Sequence, residues 1–269
     1  MITSPNDTIV VNEEEELCVL TLNRPKSLNA LNREMTTALD AITQQLTRSN
    51  YIRAVIIQGA GDHFMAGGDI KAFHQWISES DDKRALKERF QSLIIEVHHS
   101  ITRLAHLDQP VIGAVHGAVA GFGMSLALNC DIVLAADNSL FSTAYSQIGT
   151  SPDGGLTYSL PRVVGVKRAF ELIAFGEKVD AEHALRIGLV NRVIPLSELQ
   201  TESRSLAGKL AERSSQANAR MKSLLRSSLD NTLEAQLQAE SIHFSECATS
   251  DNFYEGISAF LEKRPPNFK

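Results

Sequence analysis

The stretch that decides the fold runs from residue 113 to residue 155 and reads GAVHGAVAGFGMSLALNCDIVLAADNSLFSTAYSQIGTSPDGG. An apolar strand passes through glycines and alanines into a short apolar helix near residues 124–128, and a second strand follows. Glycine lets the backbone approach another group closely, and the first turn of a helix carries free N–H donors. The stretch therefore predicts either a site for an oxygen that becomes negative during a reaction or a tight, packed turn.

A second glycine turn, GAGDHFMAGGDI at residues 59–70, has the same pattern of a strand, a glycine turn and a helix start, here near Asp69. If the two turns converge, they offer two N–H donors to one oxygen. The turn does not match the dinucleotide-binding GxGxxG pattern, because Gly61 is followed by Asp62, His63 and Phe64. His63 and His74 stand alone in the sequence, which favours surface positions for both.

Composition excludes several classes of protein. A net charge of −6 argues against general nucleic-acid binding, which needs a basic face. The three cysteines lie far apart and form no CxxC or Cys/His cluster, so we expect neither a disulfide framework nor a metal site. The N-terminus lacks a basic-then-apolar signal pattern, and no apolar run reaches the ~18 residues of a membrane span. These features predict a cytoplasmic protein that does not enter a membrane.

Secondary-structure patterns alternate up to about residue 197 and are almost entirely helical beyond it. We therefore divide the chain into an α/β region, 1–196, and a helical region, 197–269. Polar residues 72–84 predict a mobile segment. The predicted strands cover 10–11, 17–22, 53–58, 111–115, 131–135 and 190–194, and the principal predicted helices cover 32–46, 87–105, 165–175, 180–189, 197–213, 216–229, 232–248 and 252–263.

Six motifs in order resemble the crotonase (enoyl-CoA hydratase/isomerase) superfamily: NRPKSLNAL, FMAGGDIKAF, PVIGAVHGAVAGFGMSLALNCDIVLA, QIGTSPDGGLTYSLPRVVG, GLVNRVI and EGISAFLEKRPPNF. Each is weak alone, but together they cover the chain from Asn23 to Lys269. The resemblance implies an α/β spiral of ββα turns with an all-α C-terminal trimerisation region. It also implies an acyl-CoA thioester substrate, a homotrimer or hexamer, a place in fatty acid metabolism, and no cofactor other than the coenzyme A of the substrate.

The resemblance also assigns roles to individual residues. The thioester carbonyl would accept hydrogen bonds from the backbone N–H groups of Gly68 and Phe122. Three residues match positions that line the coenzyme A adenine and pantetheine: Ala66, Asp69 and Ile70. The loop near the phosphates would contain Arg24, Lys26 and Ser27. Phe260 and Lys263 match a C-terminal segment that reaches the nucleotide, often from a neighbouring subunit, although Lys26 and Lys263 are also compatible with plain surface charge.

The sequence departs from the hydratase pattern at the two glutamates that activate water. Ser125 and Tyr145 stand at those positions, and neither side chain readily replaces a carboxylate as a base. Both are expected among the substrate-binding residues. Ser125 is expected only to line the pocket, whereas a Tyr145 hydroxyl that places a water or donates a proton would favour a hydratase. Asp153 is the carboxylate that remains, in a PDxG turn that resembles a branch of enoyl-CoA isomerases. The same turn resembles the 4-chlorobenzoyl-CoA dehalogenase branch, in which the aspartate is a nucleophile and a histidine matching His98 is the base.

Three hypotheses follow. The favoured one is an enoyl-CoA isomerase with Asp153 as the acid and base. The second is another enzyme of the superfamily, either a hydratase with displaced groups or an aspartate-nucleophile dehalogenase or hydrolase. The third is a non-catalytic acyl-CoA-binding protein. The two expected N–H donors and Asp153 argue against it, because binding alone does not need them.

Overall fold

The computed structural model describes residues 1–268, which form nine strands and eleven α-helices. The strands are β1 (Ile9–Glu14), β2 (Leu17–Leu22), β3 (Ala54–Gly59), β4 (Val111–Val115), β5 (Ala118–Ala120), β6 (Ile132–Ala136), β7 (Leu140–Ser142), β8 (Val179–Asp180) and β9 (Arg192–Ile194). The helices are α1 (Arg33–Leu46), α2 (Ile70–Ser78), α3 (Lys83–His106), α4 (Phe122–Asn129), α5 (Leu156–Val164), α6 (Val166–Phe175), α7 (Ala181–Arg186), α8 (Leu199–Ala211), α9 (Ser215–Ser227), α10 (Leu233–Ala248) and α11 (Asp251–Glu262).

Six strands form the main sheet in the order β1-β2-β3-β4-β6-β9. The hairpin of β1 and β2 is antiparallel, and every other neighbouring pair is parallel. Alternate residues of β3 enter different cores: Val55 and Ile57 pack in the larger core with α1 and α3, whereas Ile56 faces α8. A sheet covered on both faces explains why β3 reads as a continuous apolar run.

The middle of the chain is built from ββα turns. Strand β4 leads directly into β5 and then α4, and β6 leads into β7 and the helices that follow it. The second strands of these turns form a separate sheet in the order β5-β7-β8. The two glycine turns follow the carboxyl ends of β3 and β4, which are neighbouring parallel strands. Both turns therefore lie on the same side of the main sheet, at the ends of its strands.

Two predictions about this part of the chain were wrong or incomplete. Residues 72–84 are not one mobile segment, since α2 continues to Ser78 and α3 begins at Lys83. Phe73 and Trp76, three residues apart on α2, pack their rings against Phe90 of α3 at centroid distances of 5.3 and 5.4 Å. The polar composition hid this aromatic contact. The sequence reading also missed α5 and the short strands of the second sheet.

The helical C-terminal region begins with α8, which covers the second face of the main sheet and buries Leu199 and Ala207 there. Helix α9 is attached to the core by Lys222 and Arg226, whose side chains lie 2.7 and 3.0 Å from the carboxylate oxygens of Asp131. The division at residue 197 and the oligomerisation role of 197–269 stay predictions.

None of the helices within residues 1–268 combines the length and the apolar character that crossing a membrane requires. The cytoplasmic location stays a prediction.

Candidate active site

The two glycine turns are in direct backbone contact. The Met65 N–H donates to Ala118 O at 3.0 Å, and the Ala120 N–H donates to Met65 O at 2.9 Å. A Cβ atom added to Gly123, in the first turn of α4, would lie 2.3 Å from Met65 O. Glycine is therefore required at this position by the close approach of the two chain segments.

Gly68 and Phe122 supply the free donors of this junction. Neither N–H donates a hydrogen bond within residues 1–268, and Phe122 is the first residue of α4, where the helix offers it no acceptor. A Cβ atom added to Gly67 would lie 3.5 Å from Phe122 N, so the two donors belong to touching segments. The glycine turns thus both pack closely and leave two N–H groups without an acceptor in residues 1–268, and these groups are the candidates for the two donors to one oxygen.

The PDGG turn brings Asp153 to the same place by packing on α4. A Cβ atom added to Gly154 would lie 2.8 Å from Ser125 Cβ and 2.9 Å from the Phe122 ring. Asn129 of α4 holds the turn through its side-chain amide, which donates to Ser125 O at 2.8 Å and to Gly154 O at 3.1 Å. No sequence argument singled out Asn129, because its role depends on a contact across 25 residues.

Ser125, Tyr145 and Asp153 form one hydrogen-bonded cluster. The Tyr145 hydroxyl donates to Asp153 Oδ1 at 2.5 Å. The Ser125 hydroxyl lies 3.1 Å from the Tyr145 hydroxyl and donates to the backbone oxygen of Asp153 at 2.9 Å. Both hydroxyl-bearing side chains are buried. The structure thus joins the three polar residues that the sequence placed at the reacting centre.

His98, on α3, also contacts the PDGG turn. Its Nε2 atom accepts a hydrogen bond of 3.2 Å from the Gly154 N–H. The sequence left open whether His98 faces this site. In the structure, His98 contacts Gly154, the residue after Asp153. In this arrangement Nε2 serves as a hydrogen-bond acceptor.

Burial sets the electrostatics of the cluster. It raises the pKa of Asp153, while the Tyr145 hydroxyl, His98 and the aspartate's own N–H act in the opposite direction. Burial and the neighbouring Asp153 charge raise the pKa of Tyr145, so the phenol stays protonated. Asp153 is therefore a base of increased strength, and Tyr145 is a hydrogen-bond donor.

The residues expected near coenzyme A form one surface around the second glycine turn. Arg24 Nη2 pairs with Asp69 Oδ2 at 2.9 Å, and the Ala66 N–H donates to Leu28 O at 3.0 Å. Asp69 also caps α2, since its Oδ1 accepts from the Ala72 N–H. Exposed side chains around these contacts are Lys26, Ser27 and Ile70. Because Arg24 is engaged by Asp69, Lys26 is the exposed cation of this loop.

Known proteins resemble this chain over nearly its whole length. The family model described as enoyl-CoA hydratase/isomerase matches residues 12–269.

The chain belongs to the enoyl-CoA hydratase/isomerase family.

Two relatives match at 37% identity, and each alignment covers 97% of both proteins: a probable enoyl-CoA hydratase from Rhodobacter capsulatus and a 1,2-epoxyphenylacetyl-CoA isomerase from Escherichia coli. The structure resembles that of an enoyl-CoA hydratase from Polaromonas with a TM-score of 0.90 and 37% identity, over 97% of this chain and 99% of the other. A putative enoyl-CoA hydratase from Streptomyces coelicolor gives a TM-score of 0.92 at 31% identity, over 99% and 96%. The crotonase-like α/β fold is confirmed, and the protein is an acyl-CoA enzyme of this family.

Two residues that the family resemblance assigned to the nucleotide lie apart from the others. Phe260 is in α11, and Lys263 follows it; neither makes a side-chain hydrogen bond or ion pair with the loop around Lys26 in the described part of the chain. The segment after α11 runs to the opposite end of β3, where Phe268 O lies 3.4 Å from Arg53 Nη1. The nucleotide contact of Phe260 and Lys263, including one from a neighbouring subunit, stays a prediction.

Proposed function

We propose that the protein is an enoyl-CoA isomerase that shifts the double bond of an enoyl-CoA with Asp153 as the acid and base. The observation that carries the proposal is the position of Asp153. Its carboxylate shares a hydrogen-bonded cluster with Ser125 and Tyr145, and the adjoining Gly154 packs on Phe122. The N–H groups of Phe122 and Gly68 donate no hydrogen bond within residues 1–268. One base and one oxyanion site are sufficient for isomerisation.

The reaction needs one proton to leave and to return. Asp153 removes the C2 proton of a 3-enoyl-CoA, and the electrons of that C–H bond move to the thioester oxygen. The Gly68 and Phe122 N–H groups stabilise this oxygen as it becomes negative. Asp153 then returns the proton at C4, which yields a 2-enoyl-CoA and the original carboxylate. The raised pKa of Asp153 suits this cycle, because the group must both accept and release a proton.

The hydratase alternative has less support from the residues present. Relatives named hydratase and isomerase are equally similar to this chain, so their names do not choose between the activities. Hydration in this family's usual manner needs carboxylates where Ser125 and Tyr145 stand. A protonated phenol with a raised pKa does not activate water as a base.

The dehalogenase alternative requires His98 as a base beside a nucleophilic Asp153. His98 Nε2 instead accepts a hydrogen bond from the Gly154 N–H. A proton could enter Nε2 only after that hydrogen bond had broken. This contact favours a structural role for His98 over the activation of water.

The decisive experiment compares Asp153→Asn with the native enzyme on 3-enoyl-, 2-enoyl- and haloaryl-CoA substrates. The asparagine keeps the size of the side chain and removes the base, so isomerisation should fall by about 10² or more while KM changes little. Deuterium uptake at C2 and C4 from heavy water should fall with it. Asp7→Asn is the matched control, because Asp7 is exposed and its side chain is not part of the hydrogen-bonded cluster of Ser125, Tyr145 and Asp153.

Two outcomes contradict the proposal. Native isomerase rates in Asp153→Asn would remove Asp153 from the mechanism. A covalent aryl or acyl adduct on Asp153, detected by mass spectrometry after a rapid quench, would indicate a nucleophile instead of a proton carrier.

A further inference from the structure

The two oxygens of the Asp153 carboxylate have different surroundings. Oδ1 accepts the 2.5 Å hydrogen bond from Tyr145, whereas Oδ2 accepts no hydrogen bond from another residue within 1–268. A carboxylate oxygen engaged by a strong donor is a weaker proton acceptor than one that is free. The geometry therefore distinguishes an anchored oxygen from an oxygen available to substrate.

The hydrogens of the cluster can be counted. A phenol has one hydrogen, and an ionised carboxylate has none, so the Tyr145 hydrogen must lie between Tyr145 and Oδ1. Ser125 has one hydrogen for the backbone oxygen of Asp153, at 2.9 Å, and for the Tyr145 hydroxyl, at 3.1 Å. Ser125 thus contacts both the Tyr145 hydroxyl and the backbone oxygen of Asp153, and it fixes the position of the tyrosine relative to the aspartate.

We propose that Tyr145 is a positioning residue for the base: its hydroxyl anchors Oδ1 of Asp153, Ser125 orients that hydroxyl, and Oδ2 is the atom that exchanges the proton with substrate. The proposal rests on the isomerase function proposed above and changes the expected role of Tyr145, which the family resemblance assigned to substrate binding. The proton balance is simple. The C2–H bond breaks, an Oδ2–H bond forms, and Tyr145 keeps its own proton throughout.

This role has an electrostatic consequence that a packing role lacks. A donor to the carboxylate stabilises its ionised form, so the Tyr145 hydroxyl opposes the rise in the pKa of Asp153 that burial causes. Removing the hydroxyl raises that pKa further. Less of the base is then ionised at neutral pH, and the acid limb of the profile of kcat/KM against pH moves to higher pH.

Another titratable group could contribute to the same profile. His98 of α3 contacts the turn through Gly154. A positive charge on His98 lowers the pKa of Asp153, as the Tyr145 hydroxyl does. From α4, the residues that contact the turn are Phe122, Ser125 and Asn129, none of which has an acidic or basic side chain. A His98→Gln background therefore isolates Tyr145, because glutamine can accept from the Gly154 N–H without titrating in this range.

The test measures isomerisation of a 3-enoyl-CoA against pH in Tyr145→Phe, alone and with His98→Gln. We expect kcat/KM at neutral pH to fall about tenfold, which is the effect of losing one hydrogen bond to a charged group. The loss of kcat/KM should become smaller as the pH rises, both in Tyr145→Phe alone and in Tyr145→Phe with His98→Gln. Ser125→Ala should move the acid limb in the same direction by less. Tyr158→Phe is the matched control, since the Tyr158 hydroxyl donates to Asp230 away from the site.

A second variant keeps both the ring and the hydroxyl, and it tests the proposal if Tyr145→Phe does not fold. Fluorotyrosine introduced only at position 145 makes the hydroxyl a stronger donor, so the acid limb should move to lower pH. An acid limb unchanged in both variants, or a loss of rate that is uniform across pH, overturns the positioning role. If Asp153→Asn is inactive and Tyr145→Phe has the native profile, only this inference fails. If Asp153→Asn is fully active, the proposed function itself fails.

Discussion

At the scale of single residues, the site depends on one glycine as much as on its polar side chains. Gly154 has φ +60°, a left-handed conformation, and it lies against Ser125 and the Phe122 ring. Any side chain there must both adopt an unfavourable backbone conformation and displace α4. The close packing of Gly154 on α4 therefore fixes how far Asp153 lies from α4, although glycine itself has no functional group.

Gly154→Ala and Gly149→Ala separate these two effects. Gly149 has φ +71° and no atom within 4 Å of an added Cβ, so its alanine variant has only the backbone strain of about 1–2 kcal/mol. Gly154→Ala has a similar strain and overpacks a buried contact, which adds about 1–3 kcal/mol. Urea denaturation should show this difference, and isomerase activity should fall only in Gly154→Ala. Equal loss of stability in the two variants would show that the turn can move away from α4.

At the scale of elements, the two proposed oxyanion donors, Gly68 and Phe122, are brought together by the contact of α4 with the second glycine turn. The contact is backbone to backbone, between Gly123 and Met65 O, and no flexible side chain can move to relieve a clash. Helix α4 is also almost completely buried, so it cannot shift toward solvent. The distance between Gly68 N and Phe122 N is therefore fixed by helix packing.

Gly123→Ala should displace α4 and reduce kcat by about 10² or more, the usual effect of losing one oxyanion donor. The matched control is Gly208→Ala in α8, where no atom lies within 4 Å of the added Cβ. That variant should keep full activity and gain up to about 1 kcal/mol from helix propensity. Steady-state kinetics with thermal unfolding checks both variants. Native activity in Gly123→Ala would indicate that the donors tolerate a change in helix position.

At the scale of the whole molecule, the described chain exposes an unusual number of large apolar side chains on its helices. Several are more than two-thirds exposed and lie on α6, α9, α10 and α11: Val166, Phe170, Phe175, Leu225, Leu233, Phe244, Phe260 and Leu261. Monomeric proteins rarely leave such surfaces uncovered. The pattern supports the predicted assembly of copies through the helical region.

Sedimentation at micromolar concentration should therefore give a trimer or a pair of trimers. Leu225→Glu would place a charge in an apolar interface and should weaken association by about tenfold or more. Ser223→Glu, on the same helix and also exposed, is the control for added charge. A monomeric native protein at this concentration would contradict the predicted assembly.

The sequence by itself determined the features that depend on neighbours along the chain. Glycine spacing located both turns, the N-cap at Asn32 and the apolar period after it gave the bounds of α1, and the order of motifs gave the family. The sequence also selected Asp153, because the residues at the hydratase positions are not acidic. The turns and the bounds of α1 agree with the structure because local conformation and helix capping depend on residues only a few positions apart. The role of Asp153 stays a prediction.

Only the tertiary structure decided which side chains meet. It placed the Tyr145 hydroxyl on Asp153, His98 on the Gly154 N–H, and Arg24 on Asp69, across 8, 56 and 45 residues of sequence. The continuation of α2 to Ser78 was missed for the same reason, since Trp76 is buried through contact with a ring on α3. Such contacts depend on the packing of helices and turns against each other, and neither composition nor periodicity within one segment contains that information.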